Sequence, residues 1–288
     1  MTHFDMREST ISIGDSRLYV VELGPADGPA VLFLHGWPQS HRAWQAVLPL
    51  AAARGYRAVA LDLPGIGRST GGATDGSTGA LASVVHELVT RLGLTDLTLV
   101  GHDLGGMIGY SYLRRFTDLA RAVVMDTVVP GVPPWQQVLA NPYIWHFAFH
   151  AIPDLPGRLV QGNQRAYFDY FFDVLSPGRS GITAEARDAY AAAYASDESL
   201  RAGFAWYRQL PTDAEENAAA VGEVGTPLLY LRGEHERGEL SDYVDGFAGA
   251  GLTRVSAAVV AGAGHFAPED NPAEVWARVR GFIERTPR

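Results

Sequence analysis

A chain of 288 residues, 47% apolar and 19% charged, has the material for one large α/β domain carrying an insertion. Its net charge of −9 argues against nucleic acid or an anionic membrane as a partner. With no cysteine, disulfides, a thiol nucleophile and a thiolate metal site are excluded. The opening MTHFDMREST has no basic segment followed by an apolar run, and no apolar run reaches the ~18 residues of a membrane span. A cytoplasmic location is therefore expected.

Along the chain, RLYVVEL (17–23) and AVLFLHG (30–36) read as strands across a turn-rich break. A helical stretch near 41–54 precedes the strand RAVALDL (57–63), and a glycine-rich loop leads to a helix at about 80–92. The short apolar runs at 97–100 and 122–126 suit parallel strands buried on both faces. This alternation predicts an α/β fold with a mostly parallel, doubly wound sheet. From about 130 to 218 the pattern becomes helical and aromatic, in IWHFAFH, RAYFDYFFD, ARDAYAAAYA and FAWYRQL. Strands resume in TPLLYLRGEHE (226–236) and RVSAAVVAGAGH (254–265), and a helix at 272–285 closes the chain. The expected division is a core of 1–129 and 219–288 with a helical cap of 130–218 inserted after the sixth strand. A cap there would cover the carboxyl ends of the sheet, where open α/β sheets bind ligands.

LTLVGHDLGGMIGY (97–110) reads as strand, tight turn and helix, with Asp103 at the turn. Asp is a good helix N-cap. A cap, however, does not need Gly101, Gly105 and Gly106 around it, whereas a nucleophile held out on a sharp strand-to-helix turn does. In LHGWPQ (34–39) the N–H of Trp37 is placed to serve an oxyanion hole, with the N–H of Leu104 as second donor. In GAGHFAPED (262–270) His265 follows the last strand, in the chain order nucleophile, acid, histidine. Two carboxylates can be the acid. Asp126, in VVMDTVVP, is preferred because a strand-end charge before an apolar turn needs a partner; Glu236, in LRGEHERGE, stays open.

GHDLGG with HGWPQ, DLPGIGRS (62–69) and GAGHFAPED resembles the α/β-hydrolase superfamily, in its Asp-nucleophile branch of epoxide hydrolases, haloalkane dehalogenases and fluoroacetate dehalogenases. The resemblance runs from about Ser12 to Glu284. It implies that Asp103 attacks an sp³ carbon and becomes the acyl part of an alkyl ester, which His265, oriented by Asp126, hydrolyses with water. Esterase activity is disfavoured on the same ground. NPYIWHFAFH and FAWYRQL resemble cap segments of a subgroup that protonates the leaving alkoxide with a His and a Tyr, here His146 and Tyr207, with Tyr190 and Tyr194 as substitutes.

Haloalkane dehalogenases carry halide-binding Asn and Trp where this chain has Trp37 and Leu104. Fluoroacetate dehalogenases carry a Trp and two Arg where it has Phe147, Leu104 and Met107. The resemblance therefore favours an epoxide hydrolase acting on a hydrophobic epoxide and water, with the dehalogenases as alternatives. A hydrolase-fold binding protein is disfavoured by the full set of catalytic residues. Pocket walls are expected from Trp37, Trp145, Phe149 and Trp206. No cofactor or metal is called for: His146 and His150 are spaced i, i+4, but no H-E-x-x-H accompanies them. The oligomeric state, monomer or homodimer, stays open.

Overall fold

Alternate residues of the central strands pack on opposite faces of one sheet. In AVLFL, Leu32 and Leu34 join one apolar cluster while Val31 and Phe33 join another. Strands apolar on both sides need cover on both faces, which a chain supplies by returning as helix after each strand. The computed structural model describes residues 5–71, 75–176, 178 and 181–286. Its strands are β1 (Arg7–Ile13), β2 (Ser16–Leu23), β3 (Ala30–Leu34), β4 (Arg57–Leu61), β5 (Leu97–His102), β6 (Leu119–Met125), β7 (Leu228–Gly233) and β8 (Val255–Val260). They lie in the order β1-β2-β4-β3-β5-β6-β7-β8. β2 runs antiparallel to β1 and β4, and the remaining neighbours are parallel.

The strand β1 adds to what the sequence led us to expect. Its residues RESTISI are mostly exposed, and it is held as the outer arm of a hairpin whose turn uses Gly14 at φ +52°. An edge strand with one solvated face carries little apolar signal.

Outside the region between β6 and β7, the helices are α1 (Leu48–Ala52), α2 (Thr78–Leu92) and α3 (Leu104–Arg115) before it. Within that region come α4 (Trp135–Leu139), α5 (Trp145–Ala151), α6 (Leu155–Val160), α7 (Gln164–Leu175), α8 (Ala184–Ala193) and α9 (Asp197–Ala219). After it stand α10 (Leu240–Gly249), α11 (Ala267–Asp270) and α12 (Pro272–Arg285). One face of the sheet is covered by α2 and α3, through Leu81, Leu88 and Ile108. The other is covered by α1 and α12, through Leu48, Val275 and Val279.

Among the described residues the region between β6 and β7 forms no strand. Its longest helix, α9, starts from a capping box of Ser196 and Ser199, which satisfies two of the orphan backbone donors at that end. Among the described residues no helix is long and apolar enough to cross a membrane.

Candidate active site

β5 ends at His102 and α3 begins at Leu104, so Asp103 alone makes the turn between them, at φ +51° and ψ −122°. Such a conformation costs a non-glycine residue about 1–3 kcal/mol. It also brings backbones together so closely that a Cβ on Gly101 would overlap the Gly105 carbonyl, and one on Gly105 the Leu34 carbonyl. A Cβ on Gly36 would overlap Asp103 itself. The carboxylate makes no capping hydrogen bond to α3. Instead, the Trp37 N–H donates to its Oδ1 at 2.8 Å, and the Leu104 N–H favours its ionised form. The strained turn thus holds Asp103 for something other than helix termination.

His265, on the loop between β8 and α11, stands between two carboxylates. Its Nε2 is 3.6 Å from Asp103 Oδ2 and its Nδ1 is 3.4 Å from Glu236 Oε1. Behind it, His102 Nε2 donates to the His265 carbonyl at 2.6 Å, fixing the loop. Burial works against charge on all three groups, yet their mutual attraction overcomes it. His265 is raised well above its ordinary value, while Asp103 and Glu236 are held below theirs, Glu236 with help from the Arg232 charge. The resting site is therefore an imidazolium between two carboxylates.

The expected triad acid needs correcting. Asp126 does not contact His265: its Oδ1 accepts from the Gly233 N–H at 2.7 Å and its Oδ2 is buried without a partner. Burial first, and then the charge of Glu236, push its carboxyl well above the usual range, which favours its neutral form. The carboxylate against His265 is Glu236, the alternative that the sequence left open. After β7 the chain turns back, with the Glu236 N–H donating to the Gly233 carbonyl at 3.1 Å, and this delivers the longer side chain to the imidazole.

A cavity of about 230 Å³ opens over these groups, walled by Asp103, His265, Glu236, His146, Phe147 and Phe171 among others. None of the four expected wall aromatics lines it. Trp37 is buried edge-on against Phe168 and Phe171. Trp206 is buried within the helices, Trp145 is 40% exposed, and Phe149 packs on Trp145 and Tyr167. Trp145 and Phe149 are four residues apart and share one face of α5; His146 and His150 share the next. Helical spacing identified the faces but not which one turned inward.

Burial lowers His146 to about 4, leaving it neutral, and its Nδ1 has no partner. Tyr207 lies beside it, ring centroids 5.9 Å apart, and is raised well above its ordinary value by burial and by the Asp103 charge. Tyr207 is not a lining residue of the cavity. His150 is engaged elsewhere, its Nε2 2.8 Å from the Tyr167 hydroxyl. The substitutes Tyr190 and Tyr194 are both buried off the cavity, and Tyr194 donates to the Gln39 carbonyl at 3.1 Å. Sequence reading missed the polar wall of Arg232, His235, Arg237 and Tyr143. Its signal was present: three of the four sit in LRGEHERGE, at the carboxyl end of a strand.

A family model described as the alpha/beta hydrolase fold matches residues 29–272. The chain is 29% identical to a soluble epoxide hydrolase of Corynebacterium sp. (strain C12), over 90% of this chain and 91% of that protein. It is also 29% identical to a fluoroacetate dehalogenase of Burkholderia sp., over 77% of this chain and 76% of that protein. Among solved structures, Cfl2 from Burkholderia cenocepacia superposes with a TM-score of 0.88 at 29% identity, covering 98% of this chain and 100% of that one. With its sheet order, its elbow at Asp103 and this match in view, the chain belongs to the α/β hydrolase fold family.

Proposed function

We propose that the chain is an epoxide hydrolase that opens its substrate to a vicinal diol through an ester on Asp103. One observation carries this reading: an ionised carboxylate in a strained elbow shares a cavity with a histidine that burial keeps neutral. Attack by a carboxylate on an epoxide carbon releases an alkoxide, a poor leaving group unless a proton donor stands by. Neutral His146 supplies that proton with Tyr207, both on the helical segment, which acts as the cap.

Charge then moves in a defined order. Alkylation cancels the negative charge of Asp103, one of the two that hold the His265 proton. The imidazolium gives that proton up, restoring the ring-opening donor. Neutral His265, oriented by Glu236, takes a proton from water as the water oxygen attacks the ester carbonyl. The N–H groups of Trp37 and Leu104 stabilise the charge that develops on the former Asp103 oxygen, a role worth ~10²–10³ in rate for one such donor. Collapse returns the His265 proton to the departing alcohol, and the new Asp103 acid re-protonates His265. Water is the only co-reactant.

A second reading, a haloacid dehalogenase using the same ester, draws on one observation: the cavity wall includes a buried cation, Arg232. Against it, the residues flanking Asp103 on α3 are the apolar Leu104 and Met107, both buried. Intact mass of a His265→Gln variant, incubated separately with styrene oxide, 1,2-epoxyhexane and chloroacetate, tests both. An adduct of the whole epoxide, absent when Asp103 is also Asn, is expected. An adduct from chloroacetate alone would move the protein to the dehalogenases.

A further inference from the structure

Among the described residues three arginines are almost wholly buried, and two of them are satisfied. Arg121 donates from Nε to the Thr286 carbonyl at 2.6 Å and from Nη1 to Asp96 at 3.2 Å. Arg187 meets Asp169 at 3.1 Å and Asp173 at 2.9 Å, and donates from Nε to the Ile182 carbonyl at 3.1 Å. Arg232, 4% exposed, differs. Its Nη2 is 3.8 Å from Glu236 Oε2, an ion pair too long for a hydrogen bond, and its Nη1 is buried without a partner. A buried guanidinium with an idle donor is costly unless something is to be held there.

The surroundings explain why this one is left open. Arg232 lies over the Tyr243 ring, 4.5 Å from its centroid, and that contact supports the cation while its Nη1 stays without a partner. Glu236 is shared with His265 at 3.4 Å, and Asp126, also in the cavity wall, turns its Oδ1 to the Gly233 N–H at 2.7 Å. Gly238 packs beside the guanidinium without a side chain of its own: a Cβ added there would sit 3.5 Å from Nη2 and 3.7 Å from Nη1, in ordinary contact. Five residues on, exposed Arg237 reaches across to the helical segment, its guanidinium 4.4 Å from the ring centroid of Tyr143. Among the described residues Arg237 has no ion pair. Both arginines and Tyr143 line the same cavity as Asp103.

We infer that Arg232 and Arg237 form an anion subsite at the far end of the cavity, which takes the carboxylate of an epoxide bearing one. A planar guanidinium matches a carboxylate bidentately. The reading rests on the proposed epoxide chemistry, and it also fixes where the anion stands relative to the ring. Contacts run from Asp103 to His265, from His265 to Glu236 and from Glu236 to Arg232, at 3.6, 3.4 and 3.8 Å. Two side chains, His265 and Glu236, thus stand between Asp103 and Arg232 along this line of contacts. That geometry suits an epoxide and a carboxylate several bonds apart, not a haloacid, whose carboxylate sits on the carbon under attack. Phe147, Phe171 and Leu175 give the same cavity an apolar wall. At about 230 Å³ the cavity is below the ~300–1,000 Å³ usual for drug-sized ligands, so the substrate is small.

Calorimetric titration with 3-phenylpropanoate and with 3-phenylpropanamide, which differ in charge but hardly in shape, tests the subsite without any reaction. The wild-type protein is expected to bind the acid at least ~10-fold more tightly than the amide, as a charge-assisted pair would give. R232Q should abolish the preference, and R237Q, an exposed substitution that leaves the fold intact, should weaken it. Equal binding of acid and amide, no binding of the acid at millimolar concentration, or a preference untouched in R237Q would overturn the inference. The styrene oxide adduct of the His265→Gln variant is independent of both arginines. Its loss alongside a retained preference for the acid would sink the epoxide reading and leave the anion subsite standing.

Discussion

The groups on the sheet side of the cavity and those on the helical side are all desolvated, yet they reach opposite electrostatic outcomes. On the sheet side Asp103, Glu236 and His265 stay ionised. On the helical side His146 and Tyr207 stay neutral. Burial is the largest single influence on all five and opposes charge in each. The difference lies in partners: the sheet side places opposite charges within 4 Å of one another, and the helical side places none against His146 or Tyr207. His35 and His102 make the same point inside the core, where burial without a contacting carboxylate lowers each to about 4. Desolvation sets a common bias, and the local charge pairing decides which groups are favoured as ions and which as neutral forms.

The contrast breaks most completely at the nucleophile. Asp103→Asn is expected to lower turnover by ~10⁴-fold or more and to abolish any covalent adduct, read by steady-state kinetics and intact mass. Next in size is the choice of acid. Glu236→Gln should reduce kcat by ~10³-fold by leaving His265 without its orienting charge, while Asp126→Asn, which replaces a neutral acid, should change it by no more than about threefold. The reverse ranking would restore Asp126 to the triad. On the helical side, His146→Gln combined with Tyr207→Phe should slow ester formation by ~10²-fold in single-turnover assays and leave ester hydrolysis unaffected. A double variant that slows both steps alike would remove the distinction between the walls.

The smallest effect is one of stability. His146 is lowered in the folded protein from its ordinary 6.5 to about 4, so between those values the unfolded chain binds more protons. Its contribution is fully present above pH 6.5 and is lost as pH falls towards 4, by about 3 kcal/mol in total. Other titrating groups are common to the wild type and His146→Gln. The Tm advantage of the wild type over this variant should therefore shrink between pH 7.5 and pH 4.5. A gap that stays constant would mean His146 is not held neutral by burial.

The parts of this protein legible in its sequence are those encoded by contiguous residues. The alternation of apolar strand and helix, the switch to helical spacing beyond 130 and the elbow around Asp103 are each local. The elbow glycines report a steric demand within a single turn, which no distant residue can relieve. His265 was legible for the same reason, by its place on a glycine-flanked loop after a strand. The strand β1 escaped because a solvated edge needs no apolar code.

What the sequence left open depended on residues far apart in the chain. Asp126 and Glu236 both end strands that neighbour each other in the sheet, and only the turn of the loop after β7 decided which reaches His265. Trp145, His146 and Phe149 occupy one short helix, and only its rotation against the sheet decided that His146 turns into the cavity. Periodicity ranks the faces of a helix without saying what each one meets. The idle donor of Arg232 is likewise invisible in a string of residues, because an unmade hydrogen bond is a property of everything that surrounds it. The sequence by itself determined the fold and the glycine-flanked turn at Asp103, since both follow from short-range sterics and patterning. Tertiary packing alone decided which charges are paired, because pairing is set by distances between segments that the sequence does not place side by side.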